Sequence, residues 1–305
     1  MEKFEIVNEG LGFPEGPIAM DDGSVILVEI KRRTLTRCWK GKSEVVAELG
    51  GGPNGAAIGP DGAVYVCNNG GFRYVERNGI THPHGTPEDY SGGRIERVDL
   101  KTGKVERLYD TVGEHKLRGP NDIVFDRQGG FWFTDYGKDH PRTRDKSGVY
   151  YALPDGSKIV EATFGSSGYN GIGLSPDEKV VYAAETSAGR LWAFDIAAPG
   201  EIVKVKGRLP GRVVATLPGR PNVQYFDSLA VTASGKVCVA TLLDPCITSI
   251  AQDGTWEQVK TPDVYTTNIC FGGADMRDAW ITLSGGGTLA KCRWSEPGLR
   301  LNFNG

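Results

Sequence analysis

Short apolar runs separated by turn residues dominate this chain. Six of them are SVILVEI, AVYVCNN, GFWFTDY, VVYAAET, KVCVATL and DAWITLS, rich in β-branched and aromatic residues. A turn precedes each run, and another apolar run precedes the turn, so each unit reads as strand, tight turn, strand. Two further strand-like runs follow in several units, as in GGRIERVDLKTGKVERLYD and GVYYALPDGSKIVEATF, with TG and PDG turns that favour hairpins. Long helical periodicity is absent, and 43 glycines suit a chain that turns often. The unit returns at spacings of roughly 40–65 residues, the range of propellers and related arrays. Six units of four strands predict an all-β, six-bladed β-propeller in one domain spanning residues 1–305. Length alone admits two domains, but the repeat outweighs it. The run Phe4–Val7 precedes the first unit. It is expected to close the ring by pairing into the last blade, because an open circle leaves sheet edges unpaired.

One register of the repeat carries chemistry. It holds Glu15 in FPEGPIAMDDG, Asn54 in GPNGAAIGPDG, Asn121 in GPNDIVFDRQG, Asn170 in GYNGIGLSPDE, Asp227 in YFDSLAVTASG and Asn268 in TTNICFGGAD. Seven positions later comes a turn residue: Asp22, Asp61, Gln128, Asp177, Ser234 or Asp275. The first strand of a propeller blade lines the central channel, so these six side chains are expected to meet around the axis at one end. All bring oxygen and none brings sulfur or imidazole. Such a set suits one hard divalent cation, Ca²⁺ first, with Mg²⁺ or Mn²⁺ as alternatives. Zn²⁺, which prefers nitrogen and sulfur, also enters open oxygen-rich sites. Glu15 and Asp227 would balance a 2+ charge, and without a cation they would repel each other and suffer desolvation. A single Asn before a strand often closes a turn on its own backbone. That reading does not account for oxygen in all six units, nor for Glu, a poor turn former, in the first.

Charge and cysteine content narrow the setting. Net charge is −3 and the isoelectric point is near 5.9, which gives no electrostatic footprint for nucleic acid or an anionic membrane. No apolar stretch approaches the roughly 20 residues that span a bilayer. MEKFEIVNEG lacks the apolar core of a secretory signal. Cys38, Cys67, Cys238, Cys246, Cys270 and Cys292 form no CxxC pairs and are expected as reduced, mostly buried thiols of a cytoplasmic protein. No interface pattern specifies an oligomeric state.

The motifs FPEGP, GPND, YNGIGLSPD…YAAET, FDSLAV…VATL and TTNICFGG resemble those of the gluconolactonase, SMP-30 and luciferin-regenerating enzyme family. The resemblance covers nearly the whole chain, with the motifs in family order. It implies a six-bladed propeller with one divalent metal in its channel, acting on a small-molecule lactone, often a sugar lactone. Carried over by motif, the metal ligands would be Glu15, Asn170 and Asp227. Asn121 would touch the metal through water or hold the substrate. Asn54 and Asn268 are second-tier members of the ring. The chain departs from the family at Asp227-Ser228, where Asp-Gly is usual.

Such a site suits ester hydrolysis. A cation held by three protein oxygens keeps positions for water and a carbonyl, which it polarises as a Lewis acid. Asp227 is the candidate general base, Glu15 a ligand and charge balancer, and Asn121 a group that orients the lactone or its oxyanion. No GxSxG elbow or other nucleophile–base motif competes. Strand direction puts the loops at 69–92 and 136–148 on the ligand face, where they would form the pocket wall or a lid. Tyr136 and Arg118 are candidate substrate contacts. Phe72, Tyr74 and Tyr90 are further candidates to pack on a substrate ring, and Arg73, Lys138 and Arg142 are candidates to meet an acidic group. Asp135 and Glu185 end the second strands of units three and four and are candidate carboxylates for orienting ligands or water. His82 and His84, in HPH, are expected in an exposed loop, as are His115 and His140. Two alternatives stand beside the lactonase: a diisopropylfluorophosphatase-like phosphotriesterase with nearly the same ligand set, and a non-catalytic propeller that binds a metal or small molecule.

Overall fold

A computed structural model of the chain describes residues 3–207, 210–219 and 222–304. All of its helix and strand elements are strands, and six antiparallel sheets form the blades of a propeller. The inner strands are Pro14–Ala19, Pro53–Ile58, Pro120–Phe125, Tyr169–Leu174, Tyr225–Val231 and Thr266–Gly272, for blades one to six. Each pairs with the apolar run expected as second strand, from Val25–Glu29 in blade one to Asp278–Leu283 in blade six. Blade six takes its outer strand from the N-terminus: Glu5–Asn8 pairs antiparallel with Thr288–Arg293, so the ring is closed as expected. Closure here joins residues far apart in sequence, and it covers the edge that Thr288–Arg293 would otherwise leave open.

Burial explains why these runs became these strands. Second strands such as Val25–Glu29 are buried along their whole length, whereas the outer strand Lys42–Glu48 is mostly exposed. Side chains of the inner and middle strands point alternately to the two adjacent blades. Six apolar clusters result, one in each seam between blades. Tyr65, Phe125, Phe131 and Phe133 fill the seam of blades two and three, and Leu27 meets Trp280 and Leu289 where blade one meets blade six. Each fully buried large apolar side chain contributes about 1.5–3 kcal/mol relative to exposure, so stability is spread around the ring.

Turn chemistry follows the repeat with two shifts of position. Asp22, Asp61, Asp177 and Asp275 accept the amide two residues on, at 3.0–3.2 Å, and so close the inner hairpins. In blade three this acceptor is Asp126, bonded to the Gln128 amide at 2.9 Å, and in blade five Thr232 accepts from Lys236 at 3.1 Å.

The loop at 69–92 contains a hairpin of its own. Tyr74–Arg77 pairs with Ile80–Pro83 through Asn78-Gly79, both at positive φ (53° and 75°). That Asn-Gly pair is the two-residue turn whose twist matches paired strands. The hairpin reaches blade six, where the Thr81 amide donates to Gly285 O at 2.9 Å. His82 is therefore partly buried, with Nδ1 at 3.0 Å from Tyr265 Oη, and does not belong to an exposed loop. At the opposite mouth the C-terminal segment crosses the channel. Leu299 bonds Val231 of blade five, and Asn302 bonds Phe125 O of blade three at 3.1 Å.

The inner strands approach closely where two glycines lie. A Cβ on Gly55 would meet Asn121 O and Asp122 Cα at 2.5 Å, and one on Gly171 would meet Asp227 O at 2.7 Å. Gly55→Ala is expected to destabilise the protein by roughly 1–3 kcal/mol, the usual cost of overpacking a seam. Urea unfolding measures this, and a loss under about 0.5 kcal/mol would contradict such tight contact between blades two and three.

Candidate functional site

The ladder between inner and second strand is interrupted at the register of the repeated oxygen residues in every blade. The breaks fall between Glu15 and Ile18, Pro53 and Ala56, Pro120 and Ile123, Tyr169 and Ile172, Phe226 and Leu229, and Thr266 and Asn268. A bulge bends the strand and re-aims a side chain that regular pleating would direct into a seam. Glu15, Asn54, Asn121, Asn170 and Asp227 consequently line one cavity of about 180 Å³ at the channel mouth. All five are buried. Asn268 lies lower and lines the inner part of the channel, where its Nδ2 donates to Glu15 Oε2 at 2.7 Å.

The two carboxylates are held at a cost. Burial, and then the charge of Asp227, hold the Glu15 carboxyl well above its ordinary range, while Asn268 and the Gly16 amide oppose this. Burial pushes Asp227 up to about 8, against hydrogen bonds from Asn170 and the Ser228 amide. A third acid, Asp122, was not singled out by the sequence reasoning. It occupies the position after the ring residue, which is Gly16, Gly55 and Gly171 in blades one, two and four. Its carboxylate accepts amides of Ile123 at 3.0 Å and Ile172 at 3.2 Å, and burial pushes it up to about 7. The signal was an acid beside Asn121 where other repeats carry glycine.

The donor set fits a hard cation. Asn121 Oδ1 is buried without a hydrogen-bond partner. An orphaned carboxamide oxygen beside two desolvated carboxylates is what a missing cation or polar ligand would leave. No group of three His, Cys, Asp or Glu side chains gathers at one point among the described residues, because carboxamides make up the remainder of the ring.

The other residues expected at the site divide. Tyr136 lines the cavity, with the Arg144 guanidinium 4.1 Å from its ring centre. Arg118 does not line it. Its side chain is exposed, and its backbone N–H donates to Asp135 at 2.7 Å. Asp135 also accepts the amides of Gly119 and Gly137, so it fixes the turn that delivers Asn121 rather than orienting a ligand. Glu185 does not line the cavity either: it accepts from Ser166 and Ser167, where blade three passes into blade four, and from Trp192 in the third strand of blade four. Thr186 beside it does line the cavity, and its hydroxyl is buried without a partner.

Both long loops contribute walls: Phe72, Pro83 and Gly85 from one, Tyr136 and Asp139 from the other. Lys138 ties the two together. Its buried ammonium donates to Gly71 O at 2.6 Å and contacts Asn69 Oδ1 at 3.3 Å, under the Phe72 ring. Burial lowers this group to about 7.

Fold and site together define a six-bladed propeller with an oxygen-lined channel mouth. A model of the SMP-30/Gluconolactonase/LRE-like region matches residues 13–285, and the chain belongs to that family. It is 23% identical over 299 residues to the gluconolactonase of Zymomonas mobilis, covering 88% of this chain and 75% of that one. It is 29% identical over 178 residues to the lactonase drp35 of Staphylococcus saprophyticus, covering 58% of this chain and about half (46%) of that protein. Among solved structures, a gluconolactonase of Xanthomonas campestris superposes with TM-score 0.74 at 20% identity, covering 96% and 89%. The calcium-binding protein regucalcin of Agrobacterium tumefaciens does so with 0.72 at 17%, covering 98% of each chain. At such identities these structures establish the shared fold.

Acids unfolded in water titrate near 4, whereas Asp227 and Asp122 in the cation-free fold titrate near 8 and 7. The folded state thus binds more protons than the unfolded one between those values, and stability falls as pH rises through that window. In chelator, the melting temperature is expected to drop between about pH 5 and pH 8. Saturating Ca²⁺ should raise it more at the higher pH, since cation and protons compete. A melting temperature indifferent to both pH and Ca²⁺ would remove the electrostatic basis of the site.

Proposed function

We propose that this protein is a metal-dependent hydrolase that opens the ester bond of a lactone. The observation that carries the reading is Asn121 Oδ1, buried without a partner in the cavity that also holds Glu15 and Asp227. Membership of a family that includes lactonases supports the choice of ester. Glu15, Asn170 and Asp227 would hold one divalent ion, Ca²⁺ by preference for oxygen donors, with Mg²⁺, Mn²⁺ or Zn²⁺ as alternatives. The chemistry that such an ion supplies when bound is polarisation of the carbonyl and acidification of water.

The protein's own groups account for the proton and the geometry. Asp227 accepts a proton from water as the water oxygen bonds to the carbonyl carbon. The ring C–O bond then breaks, and the departing alkoxide recovers that proton from Asp227. Asn121 presents a carboxamide to the carbonyl oxygen, whose charge grows during attack. Glu15 is fixed in position for the ion by Asn268 and the Gly16 amide, which donate to its Oε2 at 2.7 and 2.6 Å. The partner is a small molecule. The free thiols of Cys38, Cys67, Cys238, Cys246 and Cys270 support a reducing, cytoplasmic setting.

Asp227→Asn is expected to lower kcat on the best lactone by about 10²–10⁴-fold. Asn121→Ala should cost about 10²–10³-fold, as for loss of one oxyanion donor. Glu15→Gln should weaken Ca²⁺ binding in calorimetry. A pH-stat assay over five- and six-membered lactones, with and without chelator and with one phosphotriester as control, measures the rates. Full activity in Asp227→Asn and Glu15→Gln would end the catalytic reading, and faster turnover of the phosphotriester would replace the lactone.

A further inference from the structure

The chemistry of the cavity wall selects among lactones. Above the polar floor stand Phe13, Ile30, Phe72, Tyr136, Leu242 and Tyr265, drawn from five blades and the loops between them. Several of these rings are fixed. Phe13 sits at φ 57°, a left-handed conformation that costs a non-glycine residue and persists only where its surroundings impose it. Its carbonyl is held by the Ile30 amide at 3.1 Å, and its ring lies 5.3 Å from Tyr74 and 5.9 Å from Tyr265. Phe72 lies over the Lys138 ammonium, 4.1 Å from its ring centre.

Charge points the same way. The charged residues on the wall and floor are Glu15, Asp139 and Asp227, and no Lys, Arg or His lines the cavity among the described residues. The nearest cations are already engaged. Lys138 is bonded to Gly71 O, and Arg144 to Asp139, to Ser167 O and to Tyr136 O. A lactone bearing a carboxylate or phosphate would find no cationic side chain on the wall to pair with. The wall also has few free hydrogen-bonding groups. Tyr265 Oη is engaged by His82, and Thr267 by Thr282 and Ser284, which leaves the Thr186 hydroxyl on the wall and the carboxamides of Asn54 and Asn121 on the floor. A ring hydroxylated at every carbon would lose more water than these few groups replace, and its upper face would meet apolar side chains.

We propose, resting on the lactonase reading, that the substrate is an uncharged lactone carrying a flat apolar group, aryl or fused-ring, rather than a sugar lactone. The lactone carbonyl occupies the floor, and the apolar group packs against Phe13, Phe72 and Tyr265. Thr186 takes a single polar atom.

The test compares kcat/KM for three six-membered alkyl lactones: δ-phenyl-δ-valerolactone, δ-valerolactone and glucono-δ-lactone. The phenyl compound should exceed the unsubstituted one by about 10-fold or more and the sugar lactone by about 10²-fold, the discrimination an apolar pocket achieves. Phe72→Ala should collapse the phenyl preference, and Phe72→Leu should restore part of it. Calorimetry of the unmodified protein with the matching non-hydrolysable phenyl and unsubstituted δ-lactams reads the wall without catalysis. Preference for glucono-δ-lactone, or equal binding of the two lactams, overturns the proposal. Tighter binding of the phenyl lactam with no turnover of any lactone supports the pocket chemistry and overturns the lactonase reading alone.

Discussion

A strand paired without interruption sends its side chains alternately to the two faces of its sheet. In a propeller those faces are the seams between blades, so an unbroken inner strand fills seams and offers the axis mainly backbone. The bulge at one register of each inner strand changes this. It releases one residue per blade from the pleat and turns five of the six oxygen side chains into a common cavity. The local loss of ladder bonds is tolerated because both neighbouring seams are densely packed. Chemistry and fold are thus coupled: the residues that cannot be buried in a seam are those placed where a polar ligand can satisfy them.

Electrostatics makes the arrangement one-sided. Burial raises Glu15, Asp227 and Asp122; the charges of Asp227 and Asp122 raise Glu15 further and that of Asp122 raises Asp227, with Asn268, Asn170, Ser228 and backbone amides as their partners. No cationic side chain lines the cavity of Glu15 and Asp227 among the described residues. A buried carboxylate without a counter-charge either keeps its proton or finds a cation. Asp122 differs from the other two because backbone amides saturate it. It ties blade three to blade four through Ile172 and stiffens the wall from which Asn170 projects. Glu15 likewise depends on Asn268, which joins the first blade to the last. The hydrogen bonds that orient the site are also bonds across blade seams.

Much of this was legible in the sequence, for a physical reason. A repeat shows the same constraint six times, so the oxygen register and the hairpin turns emerged without coordinates. The ring-closing strand followed from the need to remove an edge. What escaped depends on contacts that no repeat displays. Asp122 looks like a turn acid until the glycines at the matching positions of other blades are compared. Asp135 and Glu185 end equivalent strands and read alike, yet their partners are set by loops of unrelated sequence. Arg118 carried a side-chain expectation, whereas its backbone is what the structure uses. The Asn78-Gly79 hairpin was visible as a turn signal but was hidden in a segment read as plain loop.

The division of labour between strands and loops follows from rigidity. Groups that must share one ion or one carbonyl need positions fixed to fractions of an ångström, and bulged strands locked by two seams provide that. Groups that choose a substrate tolerate variation, and they sit on the loops from blades two and three. Here those loops are not loose. The blade-two hairpin is bonded to blade six at Gly285 and Tyr265, and Lys138 pins its base to blade three. Burying an ammonium with carbonyl and amide oxygens as its direct partners is costly. That cost becomes intelligible if Lys138 is there to hold Phe72 over the cavity, since neither its charge nor its donors reach the floor. An ammonium that positions an aromatic ring, in a site whose lining presents no cationic side chain to its ligand, is the arrangement expected of a pocket that reads shape and apolarity on top of an oxygen-lined reactive floor.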